Sequence, residues 1–163
     1  MIQPVRTLTN FTLVISLLAG TAQAAQLANK KALTLEVAKQ IGATSESFAA
    51  KNNWNVVIAI VDAGGHLVYF QRMDEAQTGS VEVAIRKAQS AAAFKRPTKV
   101  FEDGVAGGRT ALVSLPGGIP FEGGIPITVD GDVIGAVGVS GVTAQQDGLI
   151  AQVGVDALAK ILD

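Results

Sequence analysis

Cysteine is absent from these 163 residues. That removes disulfide staples, thiolate nucleophiles, Cys-based metal sites and thioether-linked prosthetic groups together. Aromatic residues are scarce, at 5%, so aliphatic and small side chains have to build the core of a chain that is 48% apolar. Eighteen glycines add to that picture, because they let backbone pack against backbone. A basic cluster is also missing. With Arg6 set aside, 12 basic residues face 14 acidic ones, a balance of −2 that gives nucleic acid nothing to be drawn to. The apolar stretch near the start, FTLVISLLAG from Phe11 to Gly20, has ten residues, two of them hydroxyl-bearing. A helix needs roughly 20 apolar residues to cross a bilayer, so no membrane insertion is expected.

That stretch follows a single basic residue, Arg6, and precedes Ala22-Gln23-Ala24, an A-x-A cleavage pattern. Residues 1–24 are therefore expected to be a secretory signal, making the protein exported, to the periplasm or the extracellular medium. Residues 25–32 form a short polar lead-in, and 33–163 a single domain.

Hydrophobic spacing orders the domain as α-ββ-α-α-ββ-α, an α/β (α+β) class with an antiparallel sheet packed by helices. LTLEVAKQIGATSESFAAKNN aligns Ala38, Ile41, Ser45, Phe48 and Ala49 on one stripe, with Thr34 as N-cap and Asn52-Asn53 as the stop. NVVIAIVD reads as a buried strand, and Asp62-Ala63-Gly64-Gly65 turns it into HLVYFQRM, so 56–73 is a hairpin. Strand alternation puts His66, Val68, Phe70 and Arg72 on one face. Ser80 is expected to cap a second helix that Pro97 ends, and Thr98 to cap a short third one. Residues 104–118 are glycine-rich and irregular. IPITV and VIGAVGVSG form a second hairpin through Asp130-Gly131, and a last helix runs from Ala144 to Leu162 with Ile150, Val153, Ala157 and Ile161 inward.

Between these elements the chain writes Gly-Gly-Ile-Pro twice, in LPGGIPFEGGIPI. A Walker-type phosphate loop needs lysine and a hydroxyl residue directly after its glycines, opening a helix; here Ile and Pro follow, and a strand comes next. The dinucleotide fingerprint fails for the same reason. Pro120 and Pro126 stiffen the segment and supply no amide donor. It reads as a rigid apolar rim surfaced by Ile119, Phe121 and Ile125, either a pocket wall or a subunit contact.

Single residues leave alternatives open. His66, the sole histidine, is either a solvated turn residue or a metal-capable imidazole. Arg72 either grips an anionic group with its planar fork or pairs with Asp74 or Glu75. Lys87, on an apolar helix, either snorkels past the core edge or neutralises an anion. GVSGV lacks the strand–elbow–helix setting of a nucleophilic serine, and no acidic residues show metal-ligand spacing. A cofactor-free isomerase or lyase acting on a small oxygenated metabolite through Asp62, Arg72 or Glu122 stays open, as does a structural oligomer without ligand.

Three stretches carry a resemblance: VVIAIVDAGGHLVYFQRMD, IRKAQSAAAFKRPTKVF and GGIPITVDGDVIGAVGVSG, in this order and each with its helix. From Leu33 to Leu162 the chain resembles the haem-binding GlcG/HbpS family, which includes the carboxy-terminal domain of PduO-type proteins. The resemblance implies a five-stranded antiparallel sheet in a profilin-like layered sandwich, assembly into homo-oligomers, and noncovalent binding of b-type haem for capture, storage or sensing, with haem degradation also attributed to the family. It implies threonine or histidine as contacts to haem iron, which here gives Thr98 and His66. Arg72, Lys87 and Phe121 are the further candidates for holding the cofactor. The first helix carries no histidine, a departure from the PduO-like branch.

Overall fold

The run VIAIVD forms β1 (Val57–Asp62), whose first five residues are fully buried because both of its faces are covered. The computed structural model describes residues 25–163; the expected export signal at 1–24 lies outside them. β1 pairs antiparallel with β2 (Leu67–Arg72) on one side and with β4 (Asp132–Ser140) on the other, and β3 (Gly124–Val129) closes the sheet in the order β2-β1-β4-β3.

The alternation of β1 sorts its side chains into two cores. Ile58 and Ile60 meet Ala38 and Ile41 of α1 (Leu35–Lys51) and Ile150 and Ala151 of α4 (Ala144–Asp156). Val57, Ala59 and Val61 meet Ala84, Ala88 and Ala91 of α2 (Ser80–Phe94) on the opposite face. Each buried isoleucine contributes about 1.5–3 kcal/mol, whereas the alanine face contributes mainly closeness. A Cβ on Gly138 of β4 would stand 2.0 Å from the Ala84 carbonyl oxygen, so α2 lies directly on the strand's backbone.

Both hairpins, the helix starts at Thr34 and Ala144 and the buried stripe Ala38, Ile41, Ser45 and Ala49 match expectation. Thr34 accepts from the Val37 N–H at 3.3 Å, and Thr143 with Gln146 forms a capping box ahead of α4.

Several expectations are corrected. The sheet of the described residues has four strands, not five. The segment left for a fifth, 107–123, holds two glycine pairs and two prolines that cannot sustain a ladder, and it folds into a 3-10 turn at Thr110–Ser114. Ser80 does not cap α2: Gly79 stands at the N-cap, and the buried Ser80 hydroxyl accepts from Ser140 at 3.2 Å. The face His66–Val68–Phe70–Arg72 is broken by a bulge, because Tyr69 pairs with Ile60 but Leu67 with Val61. Val68 and Tyr69 therefore both pack toward the α1 core, while Phe70 lies opposite Ala59. The last helix stops at Asp156 and resumes as α5 (Leu158–Leu162); of its expected inward residues only Ile150 is fully buried. Among the described residues no helix is long and apolar enough to cross a membrane.

Candidate functional site

Two places in this framework gather polar groups. The first is buried. Lys87 stands on the alanine face of α2, and its side chain is 3% exposed. Its ammonium reaches past the sheet and donates to Asp147 Oδ2 at 2.8 Å and to the Val139 carbonyl at 3.0 Å. Asp147, in the first turns of α4, also accepts from the Val142 N–H at 3.2 Å. The pair thus ties the helix on one face of the sheet to a helix on the other. Burial pushes the Asp147 carboxyl above its ordinary value, against the opposing pull of the Lys87 ammonium.

Thr98 lies beside this pair and is fully buried. It does not cap α3 (Lys99–Ala106) with its side chain. Its hydroxyl oxygen accepts from the Gly124 N–H at 2.9 Å while its own N–H donates to the Gly124 carbonyl at 3.0 Å, a two-point clamp on the start of β3. Phe121 is 56% exposed on the loop just before, and Glu122 next to it turns inward. Glu122 Oε2 is buried without a hydrogen-bond partner, 3.7 Å from the Lys99 ammonium.

The second place is open to solvent, at the turn of the first hairpin. Asp62 Oδ1 accepts from the N–H groups of Gly64 at 2.8 Å and His66 at 2.9 Å. His66 Nδ1 faces the same carboxylate, 3.3 Å from Oδ1 and 3.4 Å from Oδ2. The His66 N–H, helped by that of Gly64 and by the imidazole, holds the Asp62 carboxyl below its ordinary value although partial burial opposes it. Beside the turn lies a cleft of about 380 Å³. Its apolar wall includes Leu33, Val68 and Ile134, and Lys30, Lys31 and Lys95 border it.

The candidate residues therefore fall into separate groups. Lys87, Thr98 and the Phe121 loop come together in and over the buried place. His66 sits at one end of the first hairpin and Arg72 at the other. Arg72 pairs with neither Asp74 nor Glu75; Nε and Nη2 donate to the Ala76 carbonyl at 3.0 and 2.7 Å and brace the loop after β2. Lys87 does not snorkel outward but neutralises a buried carboxylate. The acid/base set Asp62, Arg72 and Glu122 is not assembled, since Asp62 and Arg72 lie at opposite ends of the first hairpin and Glu122 precedes β3 on the far edge of the sheet. Asp147 and the three lysines escaped the sequence reading. A lone lysine on an alanine face was the one available sign that a buried acid waited elsewhere.

Comparison with known proteins gives this framework relatives. Residues 33–156 match the family described as "Haem degrading protein HbpS-like". The chain belongs to the HbpS-like family. It is 45% identical to Protein GlcG of Escherichia coli K12 over 111 residues, covering 68% of this chain and 83% of that protein. The solved structure of a double mutant of HbpS from Streptomyces reticuli superposes with a TM-score of 0.75 at 30% identity, over 86% of this chain and 98% of that one. A structure described as a PduOC:haem complex superposes with a TM-score of 0.71 at 32% identity, over 78% and 95%. Among the described residues no group of three or more acidic or histidine side chains is placed to hold a metal ion by itself.

Proposed function

We propose that this HbpS-like chain is an exported protein that holds b-type haem noncovalently, for capture, storage or sensing. The observation that carries the reading is its fold-wide likeness to a relative described in complex with haem, at 32% identity over 78% of the chain. With no cysteine in the sequence, any haem is held without a thioether bond.

The residues present fit such a guest unequally. Thr98 is fully enclosed and its hydroxyl oxygen is already engaged by the Gly124 N–H, so ligation through it requires the start of β3 to move. His66, with a side chain 84% exposed, presents an imidazole nitrogen to solvent without rearrangement. Arg72 and Lys87 are occupied by internal partners. Bound haem supplies an iron centre for redox or ligand chemistry; the chain's own groups supply an apolar surface, cations for carboxylates and an imidazole. We also infer assembly into a homo-oligomer, for which the exposed Phe121 rim is a contact surface.

The test is titration of the protein with haemin, run alongside His66→Ala and Thr98→Ala. A saturable Soret band is the expected result, and its absence at micromolar protein removes the reading. Export is checked separately by fractionating cells that express the full chain and sequencing the recovered protein, which is expected to start at Ala25.

A further inference from the structure

We propose that a small cleft between the first hairpin turn and the first Gly-Gly-Ile-Pro loop binds a small carboxylate, gripped by the Arg86 guanidinium. This site stands apart from the haem reading and does not depend on it.

The cleft holds about 200 Å³. It shares Ala63 and Gly64 with the larger cleft described above and is otherwise built from different parts. Its floor is the outer face of α2, where Arg86, Gln89 and Ala93 follow one another at helical spacing. One wall is the turn at 63–65, and the other is the loop at 117–119. Each wall is tied to α2 by one hydrogen bond. Gln89 Nε2 donates to the Gly65 carbonyl at 3.2 Å, and the Ile119 N–H donates to the hydroxyl of the buried Ser90 at 3.2 Å. Gly65 and Gly117 both have left-handed φ, +82° and +75°, so both turns present backbone to the cleft. Packing does not ask for the second of these: an added Cβ on Gly117 would meet nothing within 4 Å.

Charge then selects the guest. Arg86 is the one charged residue in the lining. Its Nε donates to Glu82 Oε1 at 2.9 Å on the solvent side of α2, and its Nη groups meet no acceptor among the described residues. Exposed pairs of this kind hold weakly, so the guanidinium is available to a competing anion. Its planar fork matches a carboxylate, which it can take with two parallel N–H···O bonds. The Gly117 N–H, which follows Pro116, is a second donor in the lining without an acceptor among the described residues. Asp62 lies behind Gly64, but its Oδ1 is taken up by the N–H groups of the turn. Ala93 and Ile119 offer a short apolar side to the rest of the guest. The volume is below the roughly 300–1,000 Å³ of sites for drug-sized ligands, which limits the guest to a few heavy atoms.

The experiment is saturation-transfer NMR of acetate with the full chain, with acetamide as the neutral twin and sulfate as a competitor. Acetate is expected to bind saturably in the millimolar range, as few atoms allow no tighter, and acetamide not to bind. Arg86→Leu should weaken acetate about tenfold or more, and Arg86→Lys should fall between the two because it keeps the charge and loses the fork. Glu82→Gln frees the guanidinium and should strengthen acetate about twofold. Ala93→Leu, at an exposed helix position, fills the cleft and should abolish binding while the melting temperature holds. Absence of saturable acetate binding to wild type overturns the proposal, as does an Arg86→Leu or Ala93→Leu variant that matches wild type. Acetamide binding as well as acetate, or sulfate displacing acetate at equal concentration, overturns the assignment of a carboxylate.

Discussion

The two copies of Gly-Gly-Ile-Pro have the same letters and different physical reasons. In the first, Gly117 has φ +75° with open space around it, and Gly118 faces only the side chain of Leu115. That copy is tethered to α2 by one bond, from the Ile119 N–H to Ser90 Oγ at 3.2 Å. The second copy is walled in. A Cβ on Gly123, at φ +129°, would stand 2.7 Å from both the Lys87 ammonium and the Val139 carbonyl oxygen, and one on Gly124 would stand 2.3 Å from the Lys87 carbonyl oxygen. The first pair shapes a loop; the second clears a path for a buried ion pair. A glycine is therefore read by its neighbours, and those neighbours lie far away in sequence.

The largest way to break the comparison is to remove the cation. Lys87→Ala strands the Asp147 carboxylate in a dry site and is expected to cost about 3–5 kcal/mol in urea unfolding. The double variant Lys87→Met/Asp147→Leu is expected to recover most of that loss, because it removes both charges and keeps the volume. A double variant as unstable as Lys87→Ala would mean the pair is needed for more than neutrality.

Next in size are the glycines themselves. Gly123→Ala and Gly124→Ala should each cost about 2–4 kcal/mol, since the Val139 and Lys87 backbone carbonyls that face them cannot give way. Gly118→Ala should cost under about 1 kcal/mol, because only a flexible leucine has to rotate. Equal losses for the two copies would show that the buried pair does not account for the second one. Thr98→Val, which removes the acceptor for the Gly124 N–H, belongs between these, at about 1–3 kcal/mol.

How much of this was readable depends on distance along the chain. The all-buried β1, the turns at Asp62–Gly65 and Asp130-Gly131, and the starts at Thr34 and Ala144 are set by residues within a few positions, and periodicity finds them. Ser80 and Thr98 show where local rules fail. Both are good capping types, yet each spends its hydroxyl on a distant partner, Ser140 or Gly124, because burial makes that bond worth more than a cap. The Lys87–Asp147 pair spans 60 residues and the cleft lysines come from the lead-in and the end of α2, so no local pattern announces either. His66 and Asp62 are four positions apart on a turn the sequence does mark, so their closeness follows from local spacing, although the sequence analysis did not pair them. The fifth strand came from resemblance alone, and the glycines and prolines of 107–123 decide against it.

The smallest effect separates the same two places by pH. Asp147 has a raised folded-state pKa, mainly from burial, so between the unfolded value of 3.8 and the folded value the native state binds more protons than the unfolded one. Its contribution to stability therefore falls as pH rises through that window and improves on acidification. Asp62 is lowered, first by the His66 N–H, so it contributes stability above 3.8 that is lost as pH falls through its folded value. Urea midpoints of wild type, Asp147→Asn and Asp62→Asn from pH 3 to 7 resolve the two. The difference between wild type and Asp147→Asn should shift in favour of wild type on acidification, and that between wild type and Asp62→Asn should shift against it. Parallel curves for the two variants would mean that the Lys87 ammonium, and not burial, governs the Asp147 carboxyl.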